Sequence, residues 1–188
     1  MDNVIELRHV HKSFDGFQLK DFSMNVKKGF VTGFIGGNGV GKSTTIKLIM
    51  NLLQPDSGTI TVFGMNYNEH EKEIKQRIGF VFDSNIFYEH LTLAEMKDIV
   101  KRSYVNWDEH VFNDYVNTFN LPLTNKIKTF SKGMMMKASL AVALSHRAEL
   151  IIMDEPTSGL DPIFRRELLD ILHQLMQDGD KTIFFSTY

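Results

Sequence analysis

The sequence predicts an α/β fold that combines a mixed or parallel sheet, an N-terminal antiparallel β part and an inserted α-helical subdomain. Strands buried on both faces of a parallel sheet are indicated by nearly continuous apolar runs at residues 31–35, 150–153 and 182–185. Apolar and polar residues alternate at residues 22–26 and 60–62, which is typical of antiparallel strands with one solvated face. Between residues 84 and 137 the apolar residues recur with helical spacing instead.

The composition excludes several kinds of protein and of site. Apolar residues make up 43% of the 188 residues and charged residues 23%, as in a globular protein with one sizeable core. The net charge of −2 gives no reason to expect nucleic acid as a partner. Cysteine is absent, which excludes disulfides and cysteine-based zinc sites and suits a reducing compartment. No apolar run approaches the ~18 residues of a membrane span and no signal peptide is recognisable, so we expect a cytoplasmic chain.

The first apolar run leads into the most specific motif of the chain. Residues 36–44 read GGNGVGKST and fit the phosphate-binding pattern G-x-x-x-x-G-K-[ST]. A helix that stops at residues 54–55 is predicted to follow, because one helical face carries Ile46, Ile49, Met50 and Leu53. Nucleotide contacts are expected from Gly36, Asn38, Gly39, Gly41, Lys42, Ser43 and Thr44.

The residue types in this loop suit a triphosphate. Glycines let the backbone approach the phosphates and direct its N–H groups at them, and a helix N-terminus adds partial positive charge. The Lys42 ammonium can reach the β- and γ-phosphates, and the Ser43 hydroxyl can bind Mg²⁺. The sequence therefore predicts a nucleoside triphosphate and Mg²⁺ as ligands.

Four further helices are predicted, which start after Thr92, from about Asp108, after Ser131 and after Asp161. The side chains of Thr92, Ser131 and Asp161 can cap the helices that follow them. Thr92 and Glu95 have the spacing of a capping box, in which each side chain bonds the other residue's backbone N–H. The second of these helices is predicted to end near residues 121–122, and the third to cover residues 132–146.

The apolar run at residues 150–153 leads into two carboxylates, Asp154 and Glu155. Ligands of open α/β sheets gather at the carboxyl ends of the strands. In this type of site the first acid holds Mg²⁺, directly or through water. The second lies near the γ-phosphate and orients or deprotonates the attacking water. We therefore predict Asp154 as a metal ligand and Glu155 as a catalytic residue, together with Lys42.

A guanine nucleotide is the alternative ligand. Residues 125–128 read Asn-Lys-Ile-Lys and nearly match the guanine-reading pattern Asn-Lys-x-Asp. The match fails because Lys128 stands where the pattern needs an aspartate. An adenine nucleotide is therefore favoured.

The order of these pieces resembles the nucleotide-binding domain of ABC ATPases, over essentially the whole chain. Residues 131–134 (SKGM) are similar to the family signature, and residues 158–161 (SGLD) to the loop that follows the acid pair. Phe14 stands where the family has the aromatic residue that stacks on adenine, and its ring offers a π face to a purine. The resemblance implies ATP and Mg²⁺ as ligands, ATPase activity, and nucleotide contacts from Phe14, Ser131, Gly133 and Asp161.

The resemblance also implies a dimer and a membrane partner. Ser131 and Gly133 would contact the γ-phosphate held by a second, identical or different, ATPase domain, so that two domains enclose two ATP molecules head to tail. A separate transmembrane permease subunit would be driven by this dimer, at the inner face of the cell membrane. Residues 1–188 would form one C-terminally incomplete ABC ATPase domain. Its RecA-like core with the antiparallel part would comprise residues 1–83 and 138–188, and its helical subdomain residues 84–137.

The chain departs from the family pattern at three places. Asp83 replaces the usual glutamine; its carboxylate can still approach Mg²⁺ or its waters, so it remains a candidate catalytic and metal-binding residue. Lys132 and Met134 alter the signature, which then resembles that of exporters with ABC-2-type membrane subunits. Tyr188 replaces the histidine that contacts the γ-phosphate. Its hydroxyl can bond a phosphate but lacks the positive charge of histidine, so we expect slow ATP turnover.

Two other functions stay open, namely a soluble ABC-type ATPase of DNA maintenance or translation and a regulatory nucleotide switch without hydrolysis. The first is disfavoured because fewer than 100 residues separate Lys42 from Ser131, which leaves no room for a long coiled coil, and because cysteine for a zinc module is absent. The second is suggested by Asp83 and Tyr188. It is disfavoured by the presence of Lys42 and both acids at residues 154–155.

Overall fold

The computed structural model describes residues 2–81, 88–177 and 179–188. In these ranges the strands are β1 (Asn3–Phe14), β2 (Phe17–Lys27), β3 (Val31–Ile35), β4 (Ser57–Val62), β5 (Ile78–Val81), β6 (Leu150–Met153) and β7 (Thr182–Thr187). The α-helices are α1 (Lys42–Ile49), α2 (Tyr67–Gln76), α3 (Leu93–Val100), α4 (Glu109–Thr118), α5 (Lys132–Ser145) and α6 (Pro162–Gln177). Short 3-10 turns lie at Lys101–Ser103 and Ile127–Thr129.

The strands form two sheets of different kinds. In the first, β2, β1 and β4 are antiparallel neighbours in that order. In the second, β3, β7, β6 and β5 are all parallel. Helices α3, α4 and α5 are inserted between β5 and β6. This arrangement confirms the predicted α/β fold with an antiparallel part and a helical insertion.

Helices cover both faces of the parallel sheet and create two hydrophobic cores. One core joins α1, α2 and the antiparallel sheet to one face, with Ile5 and Phe184 fully buried. The other joins α3 to α6 to the opposite face, around Phe112 and Ile183. Strand β6 lies between these cores and is buried along its whole length, as its apolar run predicts. None of the helices in the described ranges combines the length and the apolar character that a membrane crossing requires.

The prediction that β3 is buried on both faces is wrong. Val31 and Ile35 are 47% and 72% exposed. Within the described residues β3 is an edge strand that pairs only with β7. Only its other face is packed, where the ring of Phe34 lies 6.1 Å from the ring of Phe184, between centroids. An apolar run reports the character of the side chains and not whether the strand is central or at an edge.

Two helices end earlier than the sequence predicts. Helix α1 ends at Ile49, because Asn51 adopts a left-handed φ of 56° two residues later. Helix α4 ends at Thr118, and Asn120 has a φ of 52°. Asparagine is among the few side-chain-bearing residues that enter the left-handed region readily, so both helices have an internal stop.

The predicted caps are confirmed. The Thr92 hydroxyl accepts the N–H of Glu95 over 3.2 Å, and the Glu95 carboxylate accepts the N–H of Thr92 over 2.8 Å. Side chains also accept an N–H of the first turn at the predicted caps Ser131 and Asp161. Asp108 and Asn66 cap α4 and α2 in the same way, and these two caps were not predicted from the sequence. Local residue order therefore determines where these helices begin.

Candidate functional site

Parallel pairing brings the predicted site segments to one edge of the sheet. Strands β3, β7 and β6 run in the same direction, so their carboxyl ends lie side by side. Residues 36–41, called the glycine loop below, leave the end of β3, and the acids at residues 154–155 leave the end of β6. The backbone N–H of Gly36 donates to the carbonyl of Thr187 over 3.2 Å, which fixes the glycine loop to the end of β7.

Two glycines allow the glycine loop to follow its path. Gly39 and Gly41 have φ values of 77° and 98°, in the region that favours glycine. A Cβ atom on Gly41 would lie 2.6 Å from Cζ of Phe17. The carbonyl of Gly41 accepts both the N–H and the hydroxyl of Thr45, over 2.8 and 2.9 Å. The backbone of the glycine loop therefore packs closely against the ring of Phe17 at the point where α1 begins.

Lys42 lies at the centre of the site and is only 4% exposed. Its ammonium donates to the carbonyls of Gly36 and Gly37 over 2.7 and 2.9 Å. Oε1 of Glu155 lies 3.4 Å from the same nitrogen. The centroid of the Tyr188 ring lies 4.8 Å from it. This cation can exchange neutral carbonyl acceptors for phosphate oxygens, with which its bonds are charge-assisted and stronger.

Asp154 is held by two hydroxyl groups. Ser43 donates to Oδ1 of Asp154 over 3.2 Å, and Ser186 donates to the same oxygen over 2.7 Å. Ser43 and Asp154 are the two described residues predicted for Mg²⁺, and their oxygens are in contact. Mg²⁺ binds oxygen ligands and commonly takes one or two carboxylates together with phosphates and water, so this pair fits the ion. The described residues contain no group of three or more His, Cys, Asp or Glu side chains that could hold a metal ion.

Glu155 has an unusual backbone conformation for its residue type. Its φ is 46°, a left-handed value that side-chain-bearing residues rarely adopt. The Glu155 N–H donates to the hydroxyl of Ser186 over 2.9 Å, so one serine holds both acids. The carboxylate is 16% exposed and lies at the edge of an open cavity. Backbone strain of this kind is typical of functional sites, where the surrounding structure compensates for it.

A cavity of about 800 Å³, called the loop cavity below, opens along the glycine loop. This volume is in the range of small-molecule sites. Its walls are Phe14, Gly16, Phe17, Asn38, Gly39, Gly41, Lys42, Ser43, Thr44, Lys47, Leu53 and Glu155. Phe14 is 43% exposed and its ring lies 6.5 Å from that of Phe17, between centroids. Phosphate-binding groups and an accessible aromatic ring therefore share one cavity.

Several wall residues were not predicted to contact the nucleotide, among them Phe17, Lys47 and Leu53. Phe17 pairs with Phe14 across the turn formed by Asp15 and Gly16. The dipeptide Asp-Gly between apolar residues is a strong hairpin signal and would place these two phenylalanines opposite each other. No comparable signal marks Ser186, a single serine in an apolar strand that is fully buried and bonded to both acids.

The residues predicted from the family signature lie elsewhere. Ser131, Gly133 and Asp161 line a second cavity of about 230 Å³, at the starts of α5 and α6. The Ser131 hydroxyl accepts the N–H of Met134 over 3.2 Å, and Asp161 accepts the N–H of Phe164 over 2.9 Å. None of the three is a wall of the loop cavity. The chain therefore does not bring its own signature residues to its own glycine loop.

The remaining predicted residues have different positions. Tyr188 contacts Lys42 but is not a wall of the loop cavity. Asp83, predicted as a catalytic and metal-binding residue, lies outside the described residues. Another cavity, of about 580 Å³ beside β4 and α2, contains none of the predicted residues. We take the loop cavity as the candidate site, because it alone among these cavities joins a glycine-rich backbone to a buried cation and a carboxylate.

Comparisons with known proteins agree with this geometry. A sequence model of the ABC transporter family matches residues 19–158. The chain is 35% identical over 186 residues to the ABC transporter ATP-binding protein YtrB of Bacillus subtilis (strain 168), covering 98% of this chain and 63% of that protein. It is 35% identical over 191 residues to the bacitracin transport ATP-binding protein BcrA of Bacillus licheniformis, covering 100% of this chain and 62% of that protein. The chain thus spans less than two thirds of the length of these relatives.

A solved structure described as the ATP binding subunit of an ABC transporter has a similar fold. The two structures superpose with a TM-score of 0.84 at 27% sequence identity, over 98% of this chain and 79% of the other. The similarity therefore includes the antiparallel sheet, the parallel sheet and the helices inserted between them.

Proposed function

The chain belongs to the ABC transporter family, and from this premise we propose that it is the ATP-binding and ATP-hydrolysing subunit of a membrane exporter. The observation that carries the proposal is the position of Lys42 and Glu155, 3.4 Å apart in the wall of a cavity that also contains Phe14. A cation for phosphates, an acid for water and a ring for adenine thus share one cavity. This combination supports ATP hydrolysis better than binding alone.

In the proposed complex the triphosphate lies along the glycine loop, at the N-terminus of α1. Backbone N–H groups and the partial positive charge of the helix end stabilise its negative charge. Lys42 exchanges the carbonyls of Gly36 and Gly37 for β- and γ-phosphate oxygens, and Phe14 stacks on the adenine. Mg²⁺, held by Ser43 and Asp154, would neutralise part of the phosphate charge.

Glu155 is the residue that we propose to act on the attacking water. When Lys42 moves to the phosphates, Glu155 loses its nearby cation and its carboxylate becomes available as a base. The carboxylate takes a proton from the water, whose oxygen bonds to the γ-phosphorus while the bond to the β-phosphate oxygen breaks and ADP leaves. The hydrogen bond from the Glu155 N–H to Ser186 keeps the acid in position during this step.

A second ATPase domain, identical or different, completes the site in our proposal. Ser131, Gly133 and Asp161 line a cavity other than the one that contains Lys42. They can therefore reach the γ-phosphate only if they come from a partner arranged head to tail. Such a two-fold arrangement encloses two ATP molecules, and hydrolysis would release the partners and move the subunit attached to them.

The remaining parts of the proposal concern the membrane. We place the chain at the cytoplasmic face of the cell membrane, bound to a separate permease subunit, with no nucleic acid partner. Two observations favour export, namely the altered signature at Lys132 and Met134 and the name of one relative, a bacitracin transport ATP-binding protein. We also propose the division into a core, residues 1–83 and 138–188, and a helical subdomain, residues 84–137.

A mixing experiment with two inactive variants tests hydrolysis and the head-to-tail arrangement together. Lys42→Ala removes the phosphate-binding cation, and Ser131→Asp keeps a helix cap but repels a phosphate. Neither variant alone should hydrolyse Mg-ATP. A mixture in equal amounts should recover about a quarter of the parent rate, because half of the dimers are mixed and each holds one intact site.

Two controls make the outcome decisive. Ser131→Asn keeps the cap without adding charge and should retain far more activity than Ser131→Asp. Adding Glu155→Gln to the Ser131→Asp chain should abolish recovery, because that chain supplies the intact glycine loop. A mixture that stays inactive while the parent hydrolyses ATP would rule out the head-to-tail site. A parent chain that binds ATP without turnover at any protein concentration would point to a regulatory nucleotide switch instead.

A further inference from the structure

We propose that the ring of Tyr188 positions the Lys42 ammonium for ATP through a cation–π contact, so that Tyr188 acts on the nucleotide through Lys42 and not as a phosphate ligand. The inference rests on the proposed function, since it adds a positioning residue to the same site. According to this proposal, tight ATP binding requires the π face of Tyr188 and does not require its hydroxyl.

The geometry of the contact supports an attractive interaction. The Lys42 nitrogen lies 4.8 Å from the ring centroid, within the roughly 6 Å over which such contacts are significant. Lys42 is 4% exposed, so water screens its charge little, whereas Tyr188 is 61% exposed. The cation is therefore buried, and an aromatic residue at the surface contacts it.

The backbone places Tyr188 beside Lys42 without help from its own side chain. Thr187 is in register with Ile35 in the parallel pair of β7 and β3. Its carbonyl also accepts the N–H of Gly36 over 3.2 Å. The residue after Thr187 consequently lies next to the first residue of the glycine loop, whose carbonyl binds the ammonium of Lys42.

A competing contact explains why a neutral partner is useful for this lysine. Oε1 of Glu155 lies 3.4 Å from the Lys42 nitrogen. In a closer ion pair, the Lys42 ammonium would be less available to bind phosphate. The Glu155 carboxylate would likewise be less available to act on water. The Tyr188 ring attracts the cation without neutralising its charge, and the carbonyls of Gly36 and Gly37 do the same. Together they hold the ammonium at the glycine loop against the pull of Glu155.

The position of Tyr188 relative to the loop cavity favours this indirect role. Lys42 and Glu155 are both walls of that cavity, and Tyr188 is not. Tyr188 thus contacts the cation through its ring and is not one of the residues that line the space proposed for the triphosphate. A phosphate ligand would have to present its hydroxyl to that space.

Two matched variants of the full chain separate the ring from the hydroxyl. Tyr188→Phe keeps the π face, and Tyr188→Leu keeps apolar bulk without it. In the nucleotide-free protein, with ¹³C-labelled lysine and the signal assigned through Lys42→Arg, the ε-methylene protons of Lys42 should be shifted upfield by the ring current. The shift should persist in Tyr188→Phe and vanish in Tyr188→Leu.

Mg-ATP affinity gives the second measurement. Tyr188→Leu should weaken binding by about 3- to 10-fold, as expected for one cation–π contact, while Tyr188→Phe stays within about 2-fold of the parent. Circular dichroism confirms that each variant is folded, and Tyr188→Gln replaces Tyr188→Leu if that variant is not. An upfield shift that persists without an aromatic ring at position 188 would overturn the proposal. So would a Tyr188→Phe variant that binds Mg-ATP as weakly as Tyr188→Leu. If the shift behaves as expected but no variant or parent binds ATP, the ring contact stands and the proposed function fails.

Discussion

At the scale of single residues, Ser186 has the least expected role. Its hydroxyl is fully buried, donates to Asp154 over 2.7 Å and accepts from the N–H of Glu155 over 2.9 Å. The first bond orients a predicted metal ligand, and the second fixes a residue whose φ is 46°. A single serine on β7 thus connects the two acids after β6 for which we propose functional roles.

Replacing this serine should affect both stability and the site. Ser186→Ala leaves the half-buried carboxylate of Asp154 with one hydrogen bond fewer and the N–H of Glu155 without its acceptor, so the free energy of unfolding should fall by about 1–3 kcal/mol. Urea unfolding measures this loss. Ser57→Ala, at an exposed strand position, is the control and should stay within about 0.5 kcal/mol of the parent. Equal stability of Ser186→Ala and the parent would show that these hydrogen bonds are not needed.

At the scale of elements, the glycine loop is important because it connects the end of β3 to the start of α1 through only a few residues. Its path needs a left-handed residue at Gly41, with a φ of 98°, and a close approach of the backbone to Phe17. The next residue, Lys42, is already helical. The conformation of one glycine therefore decides where the helix end and its partial charge point.

Two glycines of this loop should respond differently to a methyl group. At Gly41 a Cβ would lie 2.6 Å from Phe17 in a left-handed conformation, so Gly41→Ala should lower the free energy of unfolding by about 1–3 kcal/mol. Gly37 has neither a positive φ nor an atom within 4 Å of such a Cβ, so the unfolding free energy of Gly37→Ala should stay within about 0.5 kcal/mol of that of the parent. Thermal or urea unfolding of the pair checks this. Equal losses at both positions would contradict the described backbone.

At the scale of the whole molecule, His146 connects the end of α5 to the end of α2. It is the C-cap of α5 and is 2% exposed. Its ring stacks on Tyr104 with centroids 3.7 Å apart, and its Nδ1 lies 3.3 Å from the carbonyl of Gln76 at the end of α2. Burial lowers the pKa of His146 to about 4, so the ring is neutral in the folded protein at neutral pH.

This depressed pKa makes stability depend on pH in a defined window. The unfolded chain binds a proton at this histidine near pH 6.5, and the folded chain does so only near pH 4. Stability is therefore full above about pH 6.5 and falls by up to about 3 kcal/mol as the pH drops to about 4. Urea unfolding at several pH values should show a flatter profile for His146→Gln than for the parent. His173→Gln, at an exposed position of α6, should leave the slope of the parent unchanged, and a parent-like slope in His146→Gln would refute the assignment.

The sequence by itself determined the features that depend on neighbouring residues. The capping box at Thr92, the phosphate-binding pattern at residues 36–44 and the acids after an apolar strand are local, because their geometry follows from residues a few positions apart. The α/β fold could be predicted from the same kind of local pattern, because the apolar periodicity of a strand or a helix is visible within a short segment of sequence.

Only the tertiary structure decided which distant segments meet. Strand β7 lies between β3 and β6. This position allows the hydrogen bond from Ser186 to Asp154 and the contact of the Tyr188 ring with Lys42, and it leaves β3 at the edge of the sheet. That order of strands has no local sequence signal, because it is determined by how the whole set of apolar faces is buried together. The positions of the signature residues Ser131 and Gly133 were likewise decided by tertiary packing. The signature residues lie away from the glycine loop because of how α5 and α6 pack, and the signature motif itself does not predict this separation.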